Sequence, residues 1–181
     1  MLTEIRIHGR GGQGSVTAAE VLAKAAFKDG QLAQAFPSFG SERMGAPVVA
    51  YCRLSDRPIR TRAVVQTPDF LIVQDPTLFD QVDVFAGLKK GGVAVVNTEK
   101  PETIEVPRGA VLKAVHGTRI AVDVIGRAIP NMVMLGAFAG LTGRVSLESL
   151  QAVVRERLGG KVGDLNAEAV EKAYEAAKQA T

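Results

Sequence analysis

Cysteine is nearly absent from this chain: Cys52 is the only one among 181 residues. A single thiol excludes an intramolecular disulfide framework and any cysteine-rich zinc or iron–sulfur site built from this chain alone, and it suits a reducing cytoplasm. Tryptophan is missing, aromatics make up 5%, and the only histidines are His8 and His116. With no Cys, Asp or Glu clustered near them in sequence, those two give no metal-ligand spacing, so no metal is expected. No Ser/His/Asp grouping emerges, and no catalytic constellation is expected in this chain. The scarcity of aromatics and the lack of a recognisable binding module count against nucleic acid as a partner. No apolar run approaches the roughly 18–20 residues that span a bilayer. The N-terminus enters Met1-Leu2-Thr3-Glu4-Ile5 without a basic and then apolar leader. A cytoplasmic protein without a membrane segment is the expectation.

What is present points to one globular α/β domain over residues 1–181, with 46% hydrophobic and 23% charged residues. Thr3 to His8 alternates as a strand does, with Ile5 and Ile7 on one face. Ser15 to Lys28 then shifts to helical spacing, with Val16, Ala19, Leu22, Ala23, Ala26 and Phe27 as its apolar stripe and a stop at Asp29-Gly30. Gln31 to Phe36 reads as a second strand ended by Pro37. Val48–Leu54, Phe70–Val73, Gly92–Asn97 and Ala110–Val115 read as further strands, and a helix is expected from Asp75-Pro76 to about Val82. The remainder is helical: Thr118–Arg127, Asn131–Leu141, Ser146–Leu158 and Asn166–Gln179, with Ser146 and Asn166 as N-caps and residues 159–163 as a flexible glycine stretch. Strands interleaved with helices predict a three-layer fold with a mainly parallel sheet, a Rossmann-like first turn and a helical C-terminal part.

Charge is unevenly distributed. The formal net charge is +3, yet the twenty residues from Arg43 to Arg62 hold Arg43, Arg53, Arg57, Arg60 and Arg62 and only one acid, Asp56. Such a run suits a phosphorylated ligand or an acidic protein surface, and equally a solvated edge strand and loop.

Gly9-Arg10-Gly11-Gly12-Gln13-Gly14 fits G-x-G-x-x-G between a strand and a helix. Glycines there tolerate left-handed backbone and let main-chain N–H groups approach a phosphate, while the helix N-terminus favours an anion. A nicotinamide site should add an acid at the end of the second strand, and Ala35-Phe36-Pro37-Ser38 has none. No lysine stands where a P-loop needs one. The turn alone therefore leaves open a bound anion or an empty structural joint. Cys52, Met132 and Met134 read as core.

Three segments together resemble a known family. His8-Gly9-Arg10-Gly11-Gly12-Gln13-Gly14 with Thr17–Leu22, then Phe36–Val48 (F-P-S-F-G-S-E-R-M-G-A-P-V), then Asn131–Ala137 (N-M-V-M-L-G-A) are similar to signatures of the gamma subunit of pyruvate:ferredoxin oxidoreductase and its 2-oxoacid relatives. The closing Asn166, Ala169 and Val170 also fit. The resemblance implies a subunit of an enzyme that decarboxylates a 2-oxoacid, pyruvate first, to acyl-coenzyme A with electrons passed to ferredoxin. It implies thiamine diphosphate, magnesium and iron–sulfur clusters in partner alpha, beta and ferredoxin-like delta subunits, and coenzyme A at a shared site. Arg10, Gln13, Ser41 and Arg43 are the expected side-chain contacts, with main-chain contacts from Gly9 and Gly11 through Gly14. Gln13 has a second reading as a brace of the turn, Arg43 as a partner of Glu42 or of another subunit, and Phe36 and Phe39 as interface anchors. Two alternatives stand beside this one: the small subunit of an indolepyruvate:ferredoxin oxidoreductase, and a freestanding nucleotide-binding module.

Overall fold

The structure, a computed structural model, describes residues 1–38 and 43–179. Strand β1 (Leu2–Arg10) turns Ile5 and Ile7 into the core at alternate positions, both fully buried. It extends two residues past His8, so Gly9 and Arg10 still belong to the strand. Helix α1 (Ser15–Lys28) buries Ala18, Ala19, Val21, Leu22, Ala25 and Ala26, and its stripe is rotated from the expected one: Phe27 is 68% exposed. Strands β2 (Leu32–Pro37), β3 (Pro47–Ser55), β4 (Phe70–Val73), β5 (Val93–Asn97) and β6 (Val111–Val115) complete one sheet in the order β2-β3-β1-β4-β5-β6. β1, β4, β5 and β6 pair in parallel, whereas β3 is antiparallel to both β1 and β2.

The placement of β3 sets the strand order. A simple strand–helix–strand opening puts β2 beside β1, but β3 lies between them. The nine residues of β3 pair along all of β1, from Leu2 opposite Ser55 to Arg10 opposite Pro47, while β2 has only six to offer. β3 is also buried from Ala50 through Ser55, as an inner strand must be, whereas β2 is only half-buried.

Helices α2 (Gly117–Ile125), α3 (Asn131–Thr142), α4 (Leu147–Leu158) and α5 (Gly160–Gln179) follow the last strand. Their apolar side chains join those of α1 on one face of the sheet in a single core cluster. The opposite face carries a thinner cover, in which Leu78, Val84, Phe79 and Phe85 pack on Leu71, Val73, Ala94 and Val96. Ser146 caps α4 as expected, its Oγ accepting from the Ser149 N–H at 3.1 Å.

Two helix expectations change. The segment after Asp75 is a 3-10 helix confined to Pro76–Asp80, because only Leu78 in it is buried and one anchor cannot sustain an apolar stripe. Asn166 is not a cap: α5 starts six residues earlier, through the glycine stretch, and the Asn166 side chain donates to the Val162 carbonyl at 2.9 Å. Gly163 permits this by sitting against the Arg155 backbone, with only 3.1 Å available to a Cβ. No helix among the described residues is long and apolar enough to cross a membrane.

Candidate functional site

The glycine turn sits at the C-terminal end of β1, where the parallel half of the sheet meets its antiparallel strand. Such a reversal in an open α/β sheet forms a crevice. Gly12 and Gly14 adopt φ of 89° and 73°, which a side chain would strain, and Gly14 serves as N-cap of α1 without a side-chain cap. The opening N–H groups of α1 are thus left to an outside acceptor.

The side chains of the turn bind the protein itself. Arg10 donates from Nε to Asp75 at 3.0 Å, from one terminal nitrogen to the Gly45 carbonyl and to Gln81, and from the other to Thr77 Oγ1 at 2.6 Å. Four of its five N–H groups are so engaged. Gln13 accepts from the Arg10 N–H at 2.7 Å and donates to Asp75 at 3.0 Å. Asp75, at the end of β4, is therefore the hub that locks the turn. Burial alone would raise its pKa, but the hydrogen bonds from Thr77 and Gln13 and the Arg10 charge outweigh that and hold the carboxyl below its usual range.

The other two signature segments converge on the same turn. Gly11 donates to the Ala46 carbonyl at 2.9 Å and accepts from the Gly45 N–H at 3.1 Å. A Cβ on Gly11 would stand 2.1 Å from the Arg43 carbonyl oxygen. Asn131, at the start of α3, reaches the Gly14 carbonyl with its Nδ2 at 3.5 Å, and a Cβ on Gly14 would meet that nitrogen at 2.5 Å. Arg43 itself is exposed beside the turn; Ser41, with Phe39 and Glu42, lies outside the described residues. Beneath Gly9 the Ser15 hydroxyl and both polar atoms of Gln74 are buried without a hydrogen-bond partner among the described residues. A cleft of about 680 Å³ adjoins the turn at Thr77 and runs across the ends of β4, β5 and β6, past Asn97, Lys100, His116 and Arg119.

Sequence reading found the glycines but missed Asp75, Gln74 and Asn131 as parts of this site. The signal for the first two was positional: both stand where the parallel neighbour of β1 ends. The arginine run is dispersed. Arg43 precedes β3 at the turn end and Arg57, Arg60 and Arg62 follow it at the far end, while Arg53 within β3 is buried in the sheet. Among the described residues no three His, Cys, Asp or Glu side chains converge as metal ligands. Cys52 is fully buried, and desolvation pushes its thiol pKa up.

His8, the residue before the turn, is 5% exposed, and burial followed by the Arg6 charge lowers its pKa to about 3. A base whose folded pKa is depressed from about 6.5 keeps its full contribution above that value and loses it as pH falls toward the folded one. Between pH 8 and pH 5 the unfolded state takes up a proton that the folded state refuses, a loss of about 2 kcal/mol. Urea melts at pH 8, 6 and 5 should show that slope in the wild type and a flatter one in His8→Gln; equal slopes would refute the assignment.

These elements define an α/β protein with a Rossmann-like glycine turn at the head of its first helix. The family model for pyruvate ferredoxin/flavodoxin oxidoreductase matches residues 4–176. The chain is 55% identical over 177 residues to pyruvate synthase subunit PorC of Methanothermobacter marburgensis, covering 98% of each. It is 50% identical to the pyruvate/ketoisovalerate oxidoreductases common subunit gamma of Thermococcus kodakarensis, covering 96% of each. The crystal structure of pyruvate oxidoreductase subunit PORC from Thermotoga maritima superposes with a TM-score of 0.84 at 38% identity over 96% of both chains. The chain belongs to the pyruvate ferredoxin/flavodoxin oxidoreductase family, as a gamma-type subunit of a multisubunit 2-oxoacid:ferredoxin oxidoreductase.

Proposed function

We propose that this subunit supplies the glycine turn, Gly9 and Gly11–Gly14, to a coenzyme A site shared with partner subunits of a pyruvate-oxidising enzyme. The observation that carries the reading is the convergence of three separate segments on one uncapped helix N-terminus. Coenzyme A presents a pyrophosphate and a ribose phosphate, which suit the opening N–H groups of α1 and the exposed Arg43 guanidinium. Arg10 and Gln13 act chiefly as braces, holding the turn open through Asp75, and Ser41 is proposed as a further side-chain contact. The bound group would supply the thiol that accepts the acyl unit; this chain orients it and excludes water from its phosphates.

Thiamine diphosphate with magnesium, and the iron–sulfur clusters that reduce ferredoxin, belong on this reading to the alpha, beta and ferredoxin-like delta subunits. The Thermococcus relative is named as common to two oxoacid oxidoreductases, which favours a subunit that does not select the oxoacid. The bracing of Arg10 and Gln13 supports one competing reading, a purely structural turn.

Titration of the assembled enzyme with coenzyme A separates the two. Gly12→Val places a branched residue at φ 89° and should weaken binding at least about 10-fold; Arg43→Ala removes one charge-assisted contact, also worth about 10-fold. Unchanged affinity in both variants, with assembly intact, would leave the turn structural.

A further inference from the structure

The exposed arginines of the segment joining β3 to β4 have no role in the site above. Residues 56–64 have no regular secondary structure, and all but Ile59 are exposed. Connections this long without structure of their own are uncommon in compact domains and are usually functional or mobile. This one is tied down. Buried Arg53 donates to the Ala63 carbonyl at 2.6 Å, the Arg57 N–H donates to Ser55 Oγ at 3.0 Å, the N-terminal ammonium pairs with Asp56, and Val65 is buried.

The segment carries Arg57, Arg60 and Arg62, and none has a carboxylate of the described residues within ion-pairing distance. Other exposed cations, among them Lys24, Lys90 and Lys161, also lack such a partner, but this segment gathers three arginines within six residues. Apolar surface lies alongside: Met1 is 74% exposed, Leu2 42% and Val64 39%. On the adjoining sheet face half-buried Phe36 stacks with Tyr51, 9% exposed, at 5.1 Å and under Arg53 at 5.3 Å. Arginine and aromatic side chains are enriched at interfaces, and the segment's one acid, Asp56, is already paired with the N-terminal ammonium. The register starts the arm beside Leu2, at the end of β1 remote from the glycine turn, with Tyr51 midway along β1 opposite Arg6, so the proposed cofactor site does not account for the arm.

We infer that the Arg57–Arg60–Arg62 arm, with the Phe36–Tyr51 face beside it, docks an acidic surface of another protein subunit of the same enzyme. The inference rests on the chain's place in a multisubunit oxidoreductase. Unpaired cations held in a tied-down loop become stabilising once carboxylates of the partner replace water around them.

The test uses the enzyme co-expressed with all its subunits and purified through a tag on this chain, with the recovered chains identified by mass. Arg57→Glu, Arg60→Glu and Arg62→Glu together should weaken association by about 100-fold, since like charges are then juxtaposed. The corresponding triple glutamine variant should flatten the loss of association with rising salt. Phenylglyoxal should modify the three arginines in the isolated chain and not in the complex. If the glutamate variant lowers the thermal midpoint of the isolated chain, the glutamine variant and the labelling decide. Equal affinity, equal salt dependence and equal labelling in chain and complex would overturn the inference while leaving the subunit reading intact. Failure of the wild-type chain to recover any other subunit would overturn that reading instead, whatever the arm does.

Discussion

Gly136→Ala is expected to lower the stability of the chain by about 2 kcal/mol, although exchanging glycine for alanine inside a helix ordinarily gains about 1 kcal/mol from propensity. The opposite sign follows from packing. A Cβ on Gly136 would stand 2.2 Å from the Val170 carbonyl oxygen, and one on Gly140 would stand 2.3 Å from that of Tyr174. Both clashes are with backbone, so no rotamer change relieves them. Helix α3 has no room to retreat: residues 131–139 are all buried, and Phe138 meets Phe70 of the sheet edge-on at 5.5 Å. Helices α3 and α5 must move apart, which exposes or voids part of the core along their length. The two glycines lie one turn apart on the same face, so one displacement relieves both. Gly136→Ala with Gly140→Ala should therefore cost about 3 kcal/mol, less than the sum of the singles, and lower the thermal midpoint by roughly 6–12 °C. A stabilised Gly136→Ala variant in urea melts would show that propensity outweighs the close crossing.

That crossing also marks where sequence reading ran out. The apolar content of Asn131–Leu141 announced a helix, but a segment apolar all round gives no face, and nothing local says that α5 passes within backbone contact of it. The strands were legible to within two residues because alternation and short apolar runs are local signals. Their order was not, since β3 pairs with β1 through residues far apart in the chain, from Leu2 opposite Ser55 to Arg10 opposite Pro47. The glycine turn was legible for the same local reason. Its lock was legible only in part: Gln13 can be read as a brace, but Arg10 looks like a free cation until the end of β4 brings Asp75 between them. The arginine run shows the converse error. Neighbours in sequence need not be neighbours in space, and a nine-residue strand carried Arg43 and Arg57 to opposite ends of the sheet.

Arg53→Met should be the most damaging single change on the sheet, at about 3 kcal/mol. Arg53 is 2% exposed, and its guanidinium donates to Glu4 at 2.9 Å, to Gln34 at 3.3 Å and to the Ala63 carbonyl at 2.6 Å. Methionine fills much of the volume but leaves the Glu4 side chain, 16% exposed, without its cation. The loss comes mainly from that stranded charge, because a buried ion pair itself contributes little over an apolar substitute. Adding Glu4→Gln to Arg53→Met should accordingly recover about 1–2 kcal/mol, as a double-mutant cycle in urea would measure. The same substitution frees the Ala63 carbonyl and with it the middle of the arginine arm. Trypsin should then cut after Arg60 and Arg62 faster than in the wild type under conditions where the rest of the chain stays folded. A variant with unchanged urea midpoint would show that Arg53 is not a structural keystone. A destabilised variant whose arm is cut no faster would show that its bond to Ala63 does not hold the arm.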